Sequence, residues 1–407
     1  MNHLKPLQQA IGLVLVLVFL AGYGLPTPTL SPAVALPAFQ PLPAVAQPAQ
    51  PTGQPPLFKF IRTVQITPDA TFHVASFPRI NYLPATDQFV ITFGTVADKV
   101  SGNCPMAGYA HKGYTLDMLP TGNAGYFITY LNVCSAGDSG SIMVDNTYYG
   151  AFVSQLSGAP YGWHLVKFDA VAWPPMPITA TDVLLDDPHA GQLDPTVAFV
   201  NGQLDISDQY NPDGIWQEGS DSHHNFYSTN LKSQGTKILT DTALMSGASM
   251  IDVDGIYYII TANSFDGDLV VAKYDSAWKY LGVKELRKQA HWSQGVVFDG
   301  QRFYVSYLDT SQRDPGPFVG HFYPNVHLAA FDRNWNLVED VAVTNFLPAA
   351  LKFPGRPWVI LHNNRLYVSY DVDDLDPITH QERLETQQAF VSIYSLSNRM
   401  YLPLVLR

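Results

Sequence analysis

The sequence predicts an all-β protein, a six-bladed β-propeller of four-stranded antiparallel blades. One hairpin pattern recurs along the chain: an apolar strand, a tight polar turn, and a strand in which apolar and polar residues alternate. It is plainest at Arg356–Tyr370 (R-P-W-V-I-L-H-N-N-R-L-Y-V-S-Y) and returns at Ser293–Tyr307 and Ala248–Ala262, with looser copies at Asp194–Asp208 and Gly140–Ser154. Repeats of about 40 to 60 residues built from four strands are typical of propellers.

The composition favours strands and turns over helices. Tyrosine and phenylalanine number 22 each, and 29 glycines and 31 prolines are spread along the 407 residues. Aromatic residues are enriched in strands, and glycine and proline in turns. The formal net charge is −12, which argues against nucleic-acid binding, because that rests on clustered Lys and Arg.

The first 56 residues have the features of an export segment. Lys5 precedes the apolar run Ile11–Ala21, which suits a signal-peptide core and is short for a membrane span. Ala33-Val34-Ala35 supplies a cleavage site, so residues 1–35 are predicted to be a signal peptide and the mature protein to be secreted or displayed on the cell surface. An uncleaved segment would instead anchor the chain to a membrane. Residues 36–56, rich in Pro, Ala and Gln, are predicted to form an extended spacer.

The two cysteines fit export. In an oxidising compartment, Cys104 and Cys134 are expected to form a disulfide that closes a loop of about 31 residues. Such a bond would contribute roughly 3.5 kcal/mol in the chain-entropy model. A metal pair or two free thiols are the alternatives.

Residues 57–399 carry the predicted propeller. Leu57–Thr67 reads as a single strand, and six units of two hairpins follow, the first turning near Ala85–Asp87. Because a propeller must hide its sheet edges, we expect Phe58–Ile66 to be the outer strand of the blade that holds Arg356–Tyr394.

Residues 400–407 are predicted to be a tail or a closing strand. The end of the chain, Arg399–Arg407, reads R-M-Y-L-P-L-V-L-R and resembles the Y-L-P-L-V tails of exported proteins from one bacterial group. This resemblance implies an exported bacterial β-propeller protein. Read from its residues alone, the segment also suits a last outer strand, with Pro403 restricting it to an edge.

Gly137–Gly140 reads G-D-S-G and resembles the serine motif of trypsin-like proteases. That arrangement needs a general-base histidine and an orienting aspartate. The upstream candidates, His73 and His111, lack the A-A-H-C context of that family, and Gly140–Ser154 already matches the repeated hairpin. We therefore expect Ser139 to begin an inner strand and to have no catalytic role.

Asp194-Pro195 opens the third unit and resembles the D-P that opens blades in five-bladed furanosidases, the arabinanase-like enzymes. The resemblance implies a catalytic base at Asp194, and Glu218 is the candidate acid. Glycoside hydrolysis needs two carboxyl groups about 5 to 9.5 Å apart. A count of six predicted units rather than five weighs against this alternative.

Two segments raise the question of metal binding. His223-His224 follow Glu218 and Asp221 in one predicted loop, but adjacent residues of a strand face opposite ways, so at most one histidine would point inward. Asp371–Asp376 reads D-V-D-D-L-D and resembles half of a calcium loop, without the glycine of an EF-hand. We expect no cofactor; calcium at Asp371 and Asp373 is the alternative to a solvated acidic loop.

Loop lengths predict where a ligand would bind. The turns inside the first hairpins are short, whereas the links from second to third strands are long. In a propeller these links share one face with the blade-to-blade connections, here called the long-loop face, and loops on a rigid scaffold often carry function. The long links are Gly94–Tyr109, Tyr210–Ser222, Asp309–Asn325 and Asp371–Gln388.

The sequence therefore predicts an exported binding module that recognises a glycan or a polypeptide on the long-loop face. The alternative is a propeller glycosidase that uses Asp194 and Glu218. The two differ in whether a pair of carboxylates converges over the central channel. Replacing Trp216 or Trp358 is expected to weaken binding without loss of folding. The expected ligand contacts are Trp216, Asp221, His223, Trp292, Tyr323, Arg356 and Trp358.

Overall fold

The computed structural model contains six four-stranded sheets. It describes residues 56–68, 72, 74–96, 107–130, 139–154, 162–170, 181–184, 196–210, 221–240, 249–263, 267–313 and 322–397. The predicted signal peptide, nearly all of the spacer, both cysteines and the C-terminal tail lie outside these ranges and remain predictions. Within the ranges, no helix is both long and apolar enough to cross a membrane.

Each of the first five blades consists of four antiparallel strands that lie side by side in chain order. Blade 1 has β2 (Ser76–Leu83), β3 (Gln88–Val96), β4 (Ala107–Tyr114) and β5 (Pro120–Tyr130); blade 2 has β6 (Ser139–Val144), β7 (Thr147–Ser154), β8 (Gly162–Asp169) and β9 (Thr181–Leu184); blade 3 has β10 (Thr196–Val200), β11 (Gln203–Tyr210), β12 (Asp221–Tyr227) and β13 (Ser233–Leu239). Blade 4 has β14 (Ser249–Val253), β15 (Ile256–Ala262), β16 (Leu269–Asp275) and β17 (Tyr280–Arg287); blade 5 has β18 (Ala290–Phe298), β19 (Phe303–Asp309), β20 (Asn325–Phe331) and β21 (Leu337–Ala342).

The last blade is completed by the strand nearest the N-terminus. Blade 6 has β22 (Lys352–His362), β23 (Arg365–Leu375) and β24 (Glu382–Leu396), and β1 (Phe58–Gln65) lies antiparallel along β24. The prediction that Phe58–Ile66 forms the outer strand of this blade is confirmed. This pairing covers the edge of β24 and joins the two ends of the described chain in one sheet.

The first strands of the six blades surround a central axis. Each contacts the first strand of the next blade, from β2 through β6, β10, β14, β18 and β22 and back to β2. A closed cycle of six such contacts confirms the predicted six-bladed propeller.

Apolar side chains fill the spaces between blades, and strand alternation decides which space each side chain enters. On β23, Val368 and Tyr370 pack with Leu328 of blade 5. Tyr367, the residue before Val368, points to the other side and packs with Phe89 and Ile91 of blade 1. Side chains on both sides of β23 are therefore buried, each side against a different blade. This two-sided packing explains why the alternating pattern of the second strand recurs from blade to blade.

Two tight turns, each within the first hairpin of a blade, lie at the positions that the sequence predicts. Asn201 and Gly202 join β10 to β11 with φ of 47° and 77°, and Asn363 and Asn364 join β22 to β23 with φ of 47° and 59°. Asparagine and glycine tolerate this left-handed backbone, which two-residue hairpins require. The opposite end of the propeller is the long-loop face.

One predicted long link is wrong. The segment Asp371–Gln388 is mostly strand, because β23 continues to Leu375 and β24 begins at Glu382. Asp371 and Asp373 were expected in a solvated acidic loop, yet neither side chain is measurably exposed. Their burial depends on a cationic partner that the strand pattern did not reveal.

Candidate functional site

A charged cluster lies at the long-loop end of blade 6. Arg356 comes from the inner strand β22, and Asp371 and Asp373 come from β23, opposite Gly355 and Phe353. The register shifts between Gly355 and Trp358, so a β-bulge re-aims the chain at this point. Arg356 has a φ of 50°, an uncommon conformation for a residue with a side chain.

The guanidinium of Arg356 faces three carboxylates. Its Nη1 lies 3.4 Å from Oδ1 of Asp371 and 3.5 Å from Oδ2 of Asp373, and its Nη2 lies 3.5 Å from Oε2 of Glu382. Gln387 donates from Nε2 to Asp373 Oδ2 at 3.2 Å. Because both aspartates are fully buried, this one cation provides the compensating charge that buried carboxylates need.

Blade 1 and a glycine hold the cluster in place. The backbone N–H of Phe77 donates to Asp371 Oδ2 at 2.9 Å. The Arg356 guanidinium lies over the Phe77 ring, with its carbon 4.5 Å from the ring centroid. A Cβ on Gly355 would come within 2.8 Å of Asp371 Oδ1. Glycine is therefore needed here for close approach of the backbone to the carboxylate.

Burial keeps a proton in this cluster. Desolvation raises the pKa of Asp373 from its ordinary value of 3.8 to about 9; Arg356 opposes the shift, while Asp371 and Glu382 add to it. Desolvation also raises the pKa of Asp371, again against the effect of Arg356. One guanidinium cannot balance three ionised carboxylates, so Asp373 is protonated at neutral pH.

This proton predicts a pH dependence of stability. Between about pH 4 and about pH 9, the folded chain keeps a proton on Asp373 that the unfolded chain loses, so the free energy of unfolding falls as pH rises. The Asp373→Asn variant mimics the protonated acid, and we expect its stability advantage over the wild type to grow across this window and level off above it. Urea titrations at several pH values measure the difference. Asp374→Asn, at a half-exposed neighbour, is the control; equal pH profiles for the wild type and Asp373→Asn would contradict the prediction.

A cavity of about 230 Å³ opens beside this cluster, between blades 5 and 6. The Tyr323 hydroxyl shares a 2.7 Å hydrogen bond with Nδ1 of His380. The rings of Phe322 and Phe353 lie 6.2 Å apart. Glu382 belongs to both features, because it lines the cavity and contacts Arg356. The residues that line this aromatic cavity are Phe322, Tyr323, Phe353, Leu375, His380, Gln381 and Glu382.

The structure brings four of the predicted site residues together. Tyr323 lines the aromatic cavity and lies in the predicted link before β20, with its side chain buried. Arg356, Asp371 and Asp373 form the adjoining cluster. Sequence reasoning missed the other residues that line the cavity, Phe322, Phe353, Leu375, His380, Gln381 and Glu382. Glu382 is one of only five glutamates in the chain. This low number is the sequence feature that could have pointed to Glu382 as a site residue.

Two other predicted contacts lie elsewhere, one of them half-buried and the other buried. Trp358 lies between blades 6 and 1, where its ring packs under the guanidinium of Arg79 at 5.2 Å. The expected effect of replacing Trp358 on ligand binding stays a prediction. His223 is 1% exposed and lies on strand β12, not in a loop. It faces away from His224, as strand alternation predicts.

The remaining predicted residues cannot be placed in the site. Asp221 and Trp292 lie on β12 and β18, and their side chains are outside the described part of the chain. The same holds for Asp194, Trp216, Glu218 and the Cys104–Cys134 pair, which stay predictions.

Two serine-containing segments resemble parts of a protease site. Ser139 is the first residue of the inner strand β6, as expected, but its side chain is not described. A Ser–His–Asp chain does occur in blade 3: Ser222 Oγ lies 3.0 Å from His224 Nε2, and His224 Nδ1 lies 2.7 Å from Asp205 Oδ2. None of the three residues is more than 1% exposed. A nucleophile needs access to substrate, so these three hydrogen-bonded residues form a buried polar network.

Asp371 and Asp373, the alternative calcium ligands, lie against a cationic side chain. Calcium takes six to eight oxygen ligands, whereas Asp371 and Asp373 face the guanidinium of Arg356. Among the residues described, no group of three or more His, Cys, Asp or Glu side chains is arranged to hold a metal ion.

No protein-family model and no curated protein sequence matches the chain. Among solved structures, it is similar to a Trypanosoma rangeli sialidase in complex with the inhibitor DANA, with a TM-score of 0.53 and 15% identity over 79% of this chain and 55% of that one. The chain thus spans about half the length of that sialidase. A neuraminidase-like protein from A/bat/Guatemala/164/2009 gives a TM-score of 0.45 and 8% identity over 82% of this chain and 94% of that one. A Bacillus licheniformis GH43 endo-arabinanase gives a TM-score of 0.41 and 11% identity over 63% of this chain and 92% of that one. At these identities, the sialidase match shows a shared propeller fold.

Proposed function

We propose that the protein is a carbohydrate-binding propeller and that the ligand binds in the aromatic cavity between blades 5 and 6. The observation that carries this proposal is the cavity lining: Phe322, Tyr323 and Phe353 beside Gln381 and Glu382. A propeller fold shared with a sialidase is compatible with a carbohydrate ligand. The N-terminal sequence supports the further proposal that binding takes place outside the cell.

The chemistry of the lining suits a sugar. Ligand sites combine apolar and aromatic walls with a few placed polar groups. A sugar ring offers an apolar face to aromatic side chains and hydroxyl groups to polar ones. Here the Phe322 and Phe353 rings supply the apolar wall, and the Glu382 carboxylate and Gln381 amide supply acceptors and donors.

Binding fits this cavity better than cleavage does. Glycoside hydrolysis uses two carboxyl groups separated by at least about 5 Å. Asp373 and Glu382 instead both face the guanidinium of Arg356 at 3.5 Å, and Asp373 is fully buried. Asp373 therefore lacks the access to substrate that a hydrolytic pair needs.

The proposal is tested by replacing one wall of the cavity. We expect Phe322→Ala to weaken binding of a recognised glycan by about 10-fold, equivalent to about 1.4 kcal/mol, because one aromatic contact is lost. A glycan array followed by calorimetry on the best neutral oligosaccharide measures the change. Phe199→Ala is the matched control, since Phe199 is 36% exposed and lies beside the hairpin turn of blade 3. Equal losses in the two variants would contradict the proposal, as would an array without any bound glycan.

A further inference from the structure

We propose that the aromatic cavity selects neutral glycans and rejects glycans that carry a carboxylate, such as uronic acids. This inference rests on the proposed function and names the substrate class of the same site. It follows from which charges line the cavity and which charges are already paired.

The lining of the cavity has one acidic side chain and no lysine or arginine among the described residues. Glu382 is that acid, and it is 28% exposed. A carboxylate on a bound sugar would therefore lie near a second carboxylate inside the same cavity. Like charges at such short range repel strongly. An uncharged sugar instead donates its hydroxyl protons to the same Glu382 oxygens.

The nearest cation is not available to an acidic ligand. Arg356 is 13% exposed and contacts Asp371, Asp373 and Glu382 at 3.4 to 3.5 Å. Turning toward a ligand carboxylate would break the contacts of this cation with the buried Asp371 and Asp373 side chains, which is unfavourable.

The other cations around the cavity are also engaged. Lys352 pairs with Asp374 on the neighbouring positions of β22 and β23. The guanidinium of Arg313 lies 5.5 Å from the centroid of Phe322, against the ring rather than in the lining. The chain as a whole has a formal net charge of −12, so its long-range field does not favour anions either.

The test compares sugars that differ only in charge. Cellotetraose, mannotetraose and galactotetraose are titrated beside the same three tetrasaccharides oxidised at C6 to uronic acids. We expect at least one neutral tetrasaccharide to bind and its oxidised form to bind at least about 10-fold more weakly. In Glu382→Gln, which keeps the shape and removes the charge, this ratio should fall to about 3-fold or less.

Glu385→Gln is the matched control, because Glu385 is on the same strand, 53% exposed and paired with Arg383. It should leave the ratio unchanged, and Phe322→Ala should weaken the neutral ligand, which locates the binding in this cavity. Equal or tighter binding of the oxidised sugars, or an unchanged ratio in Glu382→Gln, would overturn the inference while the proposed function stands. If neither neutral nor oxidised sugars bind, the proposed function fails, and the inference fails with it.

Discussion

Replacing Phe58 by alanine is expected to lower the free energy of unfolding by about 3–5 kcal/mol, the cost of removing a fully buried aromatic ring. Phe58 is 1% exposed and packs its edge against Tyr304 of blade 5 and Tyr394 of blade 6. The strand that carries it closes the ring, so the loss occurs where two blades and the N-terminal strand meet. The midpoint and slope of urea denaturation measure the effect.

The matched control is Phe60→Ala on the same strand. Phe60 is 50% exposed, so the same chemical change should cost less than about 1 kcal/mol. The backbone of β1 is anchored at its start by Glu339 of blade 5, which accepts from the N–H groups of Leu57 and Phe58 at 2.6 and 3.2 Å. Similar losses in the two phenylalanine variants would mean that β1 does not close the ring through its buried face.

Replacing Arg356 by methionine is expected to destabilise the fold by about 3–5 kcal/mol at neutral pH, because the buried carboxylates lose their cation. Asp371 and Asp373 are both fully buried and within 3.5 Å of the guanidinium. The defect should shrink as pH falls, since protonation removes the uncompensated charges. Urea denaturation at pH 5 and at pH 8 measures both effects.

Lys352→Met is the control for losing a positive charge from the same strand. Lys352 and Asp374 are each 39% exposed, and exposed ion pairs contribute less than about 1 kcal/mol. A defect in Arg356→Met that matched this control, or one that was independent of pH, would show that the cluster does not depend on its guanidinium.

The position of Asp371 and Asp373 shows why sequence reasoning reached part of the site. The pattern D-V-D-D-L-D indicated carboxylates at the long-loop face, which is where they lie. It did not indicate burial, because that depends on Arg356, which is 15 residues away, and on the N–H of Phe77, which is 294 residues away. Tyr323 was predicted to contact ligand, but its partner His380 is 57 residues further along the chain.

By itself, the sequence determined the six blades, the hairpin turns and the use of Phe58–Ile66 to close the ring. The faces of a strand and the type of a hairpin turn depend on residues that are close in the chain, so the repeated sequence pattern is enough to predict them. Only the tertiary structure decided that Asp371 and Asp373 are buried, that Trp358 packs between blades, and that Phe322, Phe353 and Glu382 line one cavity. Each of those outcomes depends on contacts between side chains of different strands or blades. The partner charges and the buried surface come from residues that are remote in the chain, so a local sequence pattern does not reveal them.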